Sequence, residues 1–241
     1  MSTHVLVITG ASSGIGEALA RRALDRGDTV VGMARGKPAW THERFHPVEV
    51  DLLDAEATSH AAATIAARFP VSTIIHNAGL IWPNLVEAVK PSDVAGLTQL
   101  HITSPLILTQ ALLPAMRANK FGRIVFVTSR AAMGVPTRSA YSATKAGVHG
   151  MARTWALELG PEGITVNVVA PGPILTGNFW GIVPKGSPRE QAIAAQLPVR
   201  RLGTVEDVAR AVEFFADSDA GFVTGQVLFV CGGGSLGGLS L

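Results

Sequence analysis

Short runs of β-branched residues alternate with helical patterns from one end of this 241-residue chain to the other. Strands separated by helix-length segments pair through crossovers rather than hairpins, so the alternation dictates βαβ units and a mostly parallel sheet. Strands are expected at residues 5–8, 29–33, 46–50, 73–76, 123–128, 165–169 and 226–230. Helices are expected at 15–26, 55–69, 97–117, 140–159 and 205–216, the last introduced by a capping box of Thr204 and Asp207. Gly27 and Gly160 stand where helices should stop. The expected fold is α/β, a doubly wound, Rossmann-type parallel sheet of about seven strands with helices on both faces. At this length one domain over residues 1–241 is expected, and the residues from 171 to 198, rich in Pro and Gly, read as a long loop of the kind that forms lids.

Several function classes drop out on composition. Hydrophobic residues make up 47% and charged residues 16%, too apolar and charge-poor for a disordered chain. The net charge is +2 and no basic run exceeds a pair such as Arg21-Arg22, so neither a nucleic-acid nor a membrane-surface partner is expected. The uncharged stretches 94–116, 164–184 and 220–241 are interrupted by polar residues, prolines or glycines and do not read as membrane spans. The first of them reads as a helix buried on most sides, a pattern suited to a subunit interface. The residues before Val5 lack a cationic leader pattern, and the single cysteine, Cys231, cannot form an internal disulfide. A cytoplasmic location is the expectation, and no metal is called for.

Three local features carry chemistry. Thr9-Gly10-Ala11-Ser12-Ser13-Gly14-Ile15-Gly16 places three glycines at the turn from the first strand into the first helix. Such a turn lets backbone N–H groups approach a pyrophosphate with no Cβ in the way, although a glycine triplet also serves as a tight turn with close helix packing. Coenzyme choice in this kind of fold is read at the end of the second strand, where an acid selects NAD and a base NADP. There the chain has Ala34, Arg35 and, two further on, Lys37, so NADP(H) is expected over NAD(H). Tyr141, the only tyrosine, and Lys145 are one helical turn apart and share a face. A nearby ammonium lowers the pKa of a phenol and makes it usable for proton transfer. Ser129 follows the fifth strand, where an open α/β sheet binds ligands, and is placed to donate to a substrate carbonyl.

Taken together these residues resemble the short-chain dehydrogenase/reductase family over nearly the whole chain. The resemblance rests on Thr-Gly-x-x-x-Gly-Ile-Gly at Thr9 to Gly16, Asn77-Ala78-Gly79, Ser129, Tyr141-x-x-x-Lys145, and Pro171-Gly172 with Thr176. It implies a dinucleotide held by Gly10, Ser12, Ser13, Gly14, Ile15 and Gly16, by Arg35, Asp51 and Leu52 toward the adenosine, by Asn77, Ala78 and Gly79 along the cleft, and by Pro171, Gly172, Ile174 and Thr176 toward the carboxamide. It also implies Tyr141 as acid-base, Lys145 lowering its pKa and holding the ribose, and Ser129 orienting the carbonyl. One residue departs from the family: His101 stands where an asparagine is usual, in a proton path that runs largely through the main-chain carbonyl. A histidine keeps the carbonyl and is itself able to titrate near neutral pH.

The implied activity is hydride transfer between a nicotinamide and a carbonyl or secondary alcohol. A non-catalytic dinucleotide sensor or scaffold is the rival from another class, and enoyl reduction the enzymatic one, although enoyl reductases of the family space Tyr and Lys more widely. Ile81, Trp82, Met133, Val135, Ile174, Phe179 and Trp180 are expected around the substrate, with Arg130 and Arg138 the only nearby charges. That wall favours an apolar ketone. A homotetramer is expected from the family, with a dimer as the fallback.

Overall fold

The computed structural model describes residues 4–236. The strands are β1 (Val5–Thr9), β2 (Thr29–Ala34), β3 (Phe45–Glu49), β4 (Thr73–His76), β5 (Gly122–Val127), β6 (Ile164–Pro171) and β7 (Val227–Val230). They form one sheet in the order β3-β2-β1-β4-β5-β6-β7, with every pair parallel. The helices are α1 (Gly14–Asp25), α2 (Ala55–Arg68), α3 (Pro91–Thr98), α4 (Ser104–Asn119), α5 (Ser139–Leu159), α6 (Gly177–Trp180), α7 (Pro188–Gln196) and α8 (Val205–Ala216).

Strand alternation divides the core into two layers. Val7, Ile74, Ile124, Phe126, Val166 and Val168 face α2, α4 and α5, where they meet Ile65, Leu108, Leu112 and Val148. Their neighbours Leu6, Ile8, Ile75, Val125 and Val169 face the other way, onto Leu19, Ala23, Val212 and Phe215 of α1 and α8. Both faces being covered is why the strands read as continuous apolar runs.

The sequence expectation for residues 97–117 needs correction. The helical segment starts earlier, at Pro91, where the Asp93 carboxylate accepts from the Lys90 amide at 3.2 Å. It is then interrupted by a π-turn over Gln99–Thr103 before α4. Pro105 has no N–H to offer the His101 carbonyl, so the regular ladder fails there. The amide of Ser104 bonds Gln99 instead, five residues back, while the Ser104 hydroxyl donates to the Leu52 carbonyl at 2.6 Å. Nor is α4 buried on most sides: Leu108, Leu112 and Met116 form one buried stripe, and Leu106 is exposed.

The segment 171–198 is not simply a loop, since it carries α6 and α7. Thr176 caps α6, and Ser187 caps α7 with Pro188 at its first position. Among the described residues no helix is long and apolar enough to cross a membrane.

The capping box stands as expected: the Thr204 hydroxyl accepts from the Asp207 amide, and the Asp207 carboxylate accepts from the Thr204 amide at 2.9 Å. Thr204→Ala is expected to cost about 1 kcal/mol. In a chain of this size that lowers the melting temperature by roughly 2–4 °C, measurable by differential scanning calorimetry.

Candidate active site

All strands are parallel, so their carboxyl ends share one edge of the sheet. The chain leaves β1 toward β2 on one side and reaches β4 on the other, which opens a crevice between the two connections. A cleft of about 880 Å³ occupies it, running from Ala34, Arg35 and Asp51 past the glycine turn to Ser129, Tyr141 and Lys145.

The floor is built by close backbone approach. Gly10 (φ +70°) and Gly14 (φ +57°) adopt left-handed conformations that other residues reach only with strain. A Cβ on Gly10 would lie 3.0 Å from Asn77 Nδ2 and 3.2 Å from the Ala78 Cα. The Thr9 hydroxyl accepts from the amides of both Asn77 and Ala78 at 2.9 Å, and Asn77 Nδ2 donates to the Thr9 carbonyl at 2.9 Å. Ser13 precedes α1 in extended conformation and makes no side-chain cap, so the first amides of that helix are left for a ligand in the cleft.

At the other end, Ser129 and Tyr141 both line the cleft, and the Ser129 hydroxyl accepts from the Ala131 amide at 3.0 Å. Burial is the largest influence on the Tyr141 phenol and pushes its pKa up; the nearby Ser129 hydroxyl and the charge of Arg138 pull it down. The expected lowering by Lys145 is not what the geometry shows. The Lys145 ammonium lies 5.7 Å from the centre of the Tyr141 ring and donates to the Val127 carbonyl at 3.0 Å. Burial brings Lys145 itself down to about 7.

His101 lies behind Lys145, on the π-turn, and does not line the cleft. His101 Nδ1 and the Thr144 hydroxyl are hydrogen-bonded at 2.9 Å, and the same hydroxyl lies 3.0 Å from the Ala140 carbonyl of its own helix. The other ring nitrogen, Nε2, is buried with no partner among the described residues. A Cβ at Gly79 would lie 3.4 Å from that nitrogen and 3.5 Å from Lys145 Nζ. Burial first, and the Lys145 charge second, lower the His101 pKa to about 2. The expectation that His101 titrates near neutral pH is overturned: the ring stays uncharged there.

Of the residues expected to hold a cofactor, Gly10, Ser12, Ser13, Gly14, Ile15, Arg35, Asp51, Leu52, Asn77, Ala78, Gly79, Pro171, Gly172, Ile174 and Thr176 line the cleft. Gly16 does not. It is buried against the Gly10 carbonyl and Asn77, where any Cβ would collide, so its glycine serves packing. Of the substrate set, Phe179 and Ile81 line the cleft, but four residues require correction. Trp82 packs against Gly96 on α3. Met133 is 60% exposed. Val135 joins the cluster around Leu97 and Ala140. Trp180 turns to Phe179 and Lys185. Sequence reasoning missed Leu80, Asn178 and Ile182, which line the cleft from the loops that carry Gly79 and Phe179. Proximity to those residues was the available signal.

The low Lys145 pKa makes a prediction about stability. An unfolded lysine titrates near about 10.4, so between roughly pH 7 and that value the unfolded chain binds the proton that the folded chain has released. Stability attributable to this group therefore rises with pH across the window, and below it the folded state carries a buried ammonium. Lys145→Met is expected to melt several degrees above the parent at pH 6, with the gap closing toward pH 10 in thermal melts.

A family model described as "Enoyl-(Acyl carrier protein) reductase" matches residues 10–235. The chain is 37% identical to the (2S)-[(R)-hydroxy(phenyl)methyl]succinyl-CoA dehydrogenase subunit BbsD of Thauera aromatica, with 98% of each chain covered. It is 32% identical to the 3-oxoacyl-[acyl-carrier-protein] reductase FabG of Haemophilus influenzae, covering 97% of this chain and 98% of the relative. Among solved structures, a putative NAD(P)-dependent gluconate 5-dehydrogenase from Beutenbergia cavernae with bound NADP superposes with a TM-score of 0.87 at 31% identity, over 97% of each chain. With its Rossmann-type sheet and these relatives, the chain belongs to the short-chain dehydrogenase/reductase family of oxidoreductases.

Proposed function

We propose that this protein is an NADP(H)-dependent oxidoreductase that interconverts an apolar ketone and its secondary alcohol. The observation that carries the reading is the pair of hydroxyls of Ser129 and Tyr141, both lining one end of a cleft whose floor is backbone. Two hydroxyls so placed suit a carbonyl oxygen that accepts from both, with Tyr141 giving up its proton as the oxygen gains charge.

The cleft fits the coenzyme. Its volume of about 880 Å³ lies in the upper part of the range for ligand sites, more than a small ketone fills. The glycine turn and the amides of α1 would hold the pyrophosphate, and Asn77 to Gly79 with Ile174 and Thr176 the nicotinamide half. Arg35, exposed at the cleft mouth and with no acid at Ala34, would meet the 2′-phosphate. When bound, a reduced nicotinamide supplies the hydride. Lys145 would turn from the Val127 carbonyl toward the ribose, placing its charge where it opposes the burial that raises Tyr141. The NADP bound in the Beutenbergia cavernae structure supports the same coenzyme choice here.

Leu80, Ile81, Phe179 and Ile182 make the reacting end apolar. The matching family model is described as an enoyl reductase, but the four-residue spacing of Tyr141 and Lys145 supports carbonyl chemistry, as does the relationship to a 3-oxoacyl reductase. A dinucleotide sensor needs the glycine turn alone; the complete Ser129, Tyr141 and Lys145 set argues for catalysis. The 171–198 segment, with Phe179 and Ile182 in the cleft wall, acts as the lid that shuts water out. The working place we propose is the cytoplasm, with a small carbonyl or alcohol as partner and neither nucleic acid nor membrane.

Turnover of NADPH with a panel of apolar ketones tests the class. Tyr141→Phe is expected to abolish it while leaving coenzyme binding intact; a variant that keeps parental turnover overturns the reading. Arg35→Ala is expected to reduce kcat/KM with NADPH by roughly tenfold to a hundredfold, the value of a charge-assisted contact of about 1.5–3 kcal/mol, and to leave NADH nearly unchanged. Better efficiency with NADH in the parent defeats the coenzyme assignment.

The exposed faces of α4 and α5, with Leu106 and Leu157 outward, fit a homotetramer built on these two helices. Light scattering is expected to give four times the chain mass, a dimer being the fallback. A stable, active monomer rules this out.

A further inference from the structure

Arg138 stands beside the reacting end of the cleft, close enough for its charge to act on Tyr141 though not among the residues that line the cleft, and has no acidic partner among the described residues. It is the residue before α5, three positions ahead of Tyr141, and so about one helical turn from the phenol. Its backbone is pinned at the rim. The Arg138 amide donates to the Val135 carbonyl at 3.2 Å, and the Asn84 amide donates to the Thr137 carbonyl at 3.0 Å, tying the start of α5 to the loop that carries Leu80 and Ile81.

The guanidinium is held from one side only. Nη1 donates to the Thr137 hydroxyl at 2.8 Å and to the Thr137 carbonyl at 3.3 Å. Thr137 presents both oxygens from a left-handed backbone (φ +65°), a conformation costly for a β-branched residue. Nε and Nη2 make no bond among the described residues, and together they form the edge of the fork that matches the two oxygens of a carboxylate. The single carboxylate lining the cleft, Asp51, is at the far end, beside Arg35. An uncompensated, half-buried cation thus lies next to Tyr141, beside the apolar wall of Leu80, Ile81, Phe179 and Ile182.

We propose that Arg138 binds a carboxylate of the substrate, bidentate through Nε and Nη2, so that the substrate class is an oxo acid with an apolar body. The inference rests on the reductase reading above and narrows it. Arg138 directly precedes α5 and Tyr141 lies in its first turn, so an anion on Arg138 and a carbonyl oxygen on Ser129 and Tyr141 would be separated by a few bonds, as in 2-oxo and 3-oxo acids. The Arg138 charge also favours the ionised phenol of Tyr141. A substrate carboxylate would offset that influence, which makes anion binding and proton transfer interdependent.

The test compares 2-oxo-4-phenylbutanoate with its ethyl ester, titrated calorimetrically into protein saturated with NADP⁺, where no hydride is available and binding is read by itself. The acid is expected to bind at least tenfold more tightly than the ester. Arg138→Gln is expected to weaken the acid tenfold to a hundredfold and bring the ratio near one, with Arg138→Lys intermediate. A general change in the site, including a shift of Tyr141, moves acid and ester alike and leaves their ratio unchanged. An acid that binds no better than its ester in the parent, or not at all, overturns the proposal, as does an unchanged ratio in a folded Arg138→Gln protein. Turnover with NADPH is scored separately. Preference for the acid without turnover strikes the reductase reading and leaves the anion site, whereas turnover without preference does the reverse.

Discussion

The lacing of β1 to β4 through Thr9 and Asn77 is the interaction on which the rest of the site depends. The Thr9 hydroxyl accepts two backbone amides, and the Asn77 amide group returns a bond to the Thr9 carbonyl. These bonds sit where the strand order reverses, at the one place in the sheet where neighbouring strands are sent to opposite sides by their connections. They close the gap between the two strand ends far enough that Gly10 and Gly16 have no room for side chains. The glycine turn is therefore held open to the cleft by strand-to-strand contact underneath it. Gly79, two residues after Asn77, extends the same floor to Lys145 and His101.

The reacting end shows what burial costs and what it provides. Tyr141, Lys145 and His101 are all buried, and in each case burial disfavours the charged form. A lysine near 7 and a phenol pushed upward are the result, and keeping both groups out of water comes at the expense of stability. His101 contributes no charge to this balance. Its neutral ring, hydrogen-bonded to Thr144, points Nε2 into the space beside Lys145, and the π-turn that carries it lies where Pro105 withholds an amide from the His101 carbonyl. Side chain and carbonyl at this position are thereby both released from the regular helix.

The charges around the cleft sort by end. Arg35 and Asp51 line one end, and Lys145 the other, where the charge of Arg138 also acts on Tyr141. Between them the floor is backbone, supplied by Gly10, Gly14 and Gly79. A ligand with a phosphate at one extremity and a reacting carbonyl at the other finds cations at both extremities and dipoles between them.

Much of this was legible in the chain itself. The alternation of β-branched runs and helical patterns determined a parallel sheet with both faces covered, because successive parallel strands require crossovers. The capping box at Thr204, the glycine turn, and the helical-turn spacing of Tyr141 and Lys145 are local facts, and each stands in the structure as the sequence implies. The two helices inside 171–198 were also written locally, in Thr176 and in Ser187-Pro188, but a surplus of Pro and Gly masked them. Only the tertiary structure decided that Trp82 packs on α3 rather than in the cleft, that Gly16 is a packing glycine, that Lys145 reaches the Val127 carbonyl, and that His101 is buried and uncharged. The reason is physical. Helix and strand periodicity depends on residues a few positions apart, whereas the direction of a loop side chain and the charge state of a buried ring depend on which distant elements exclude water from them.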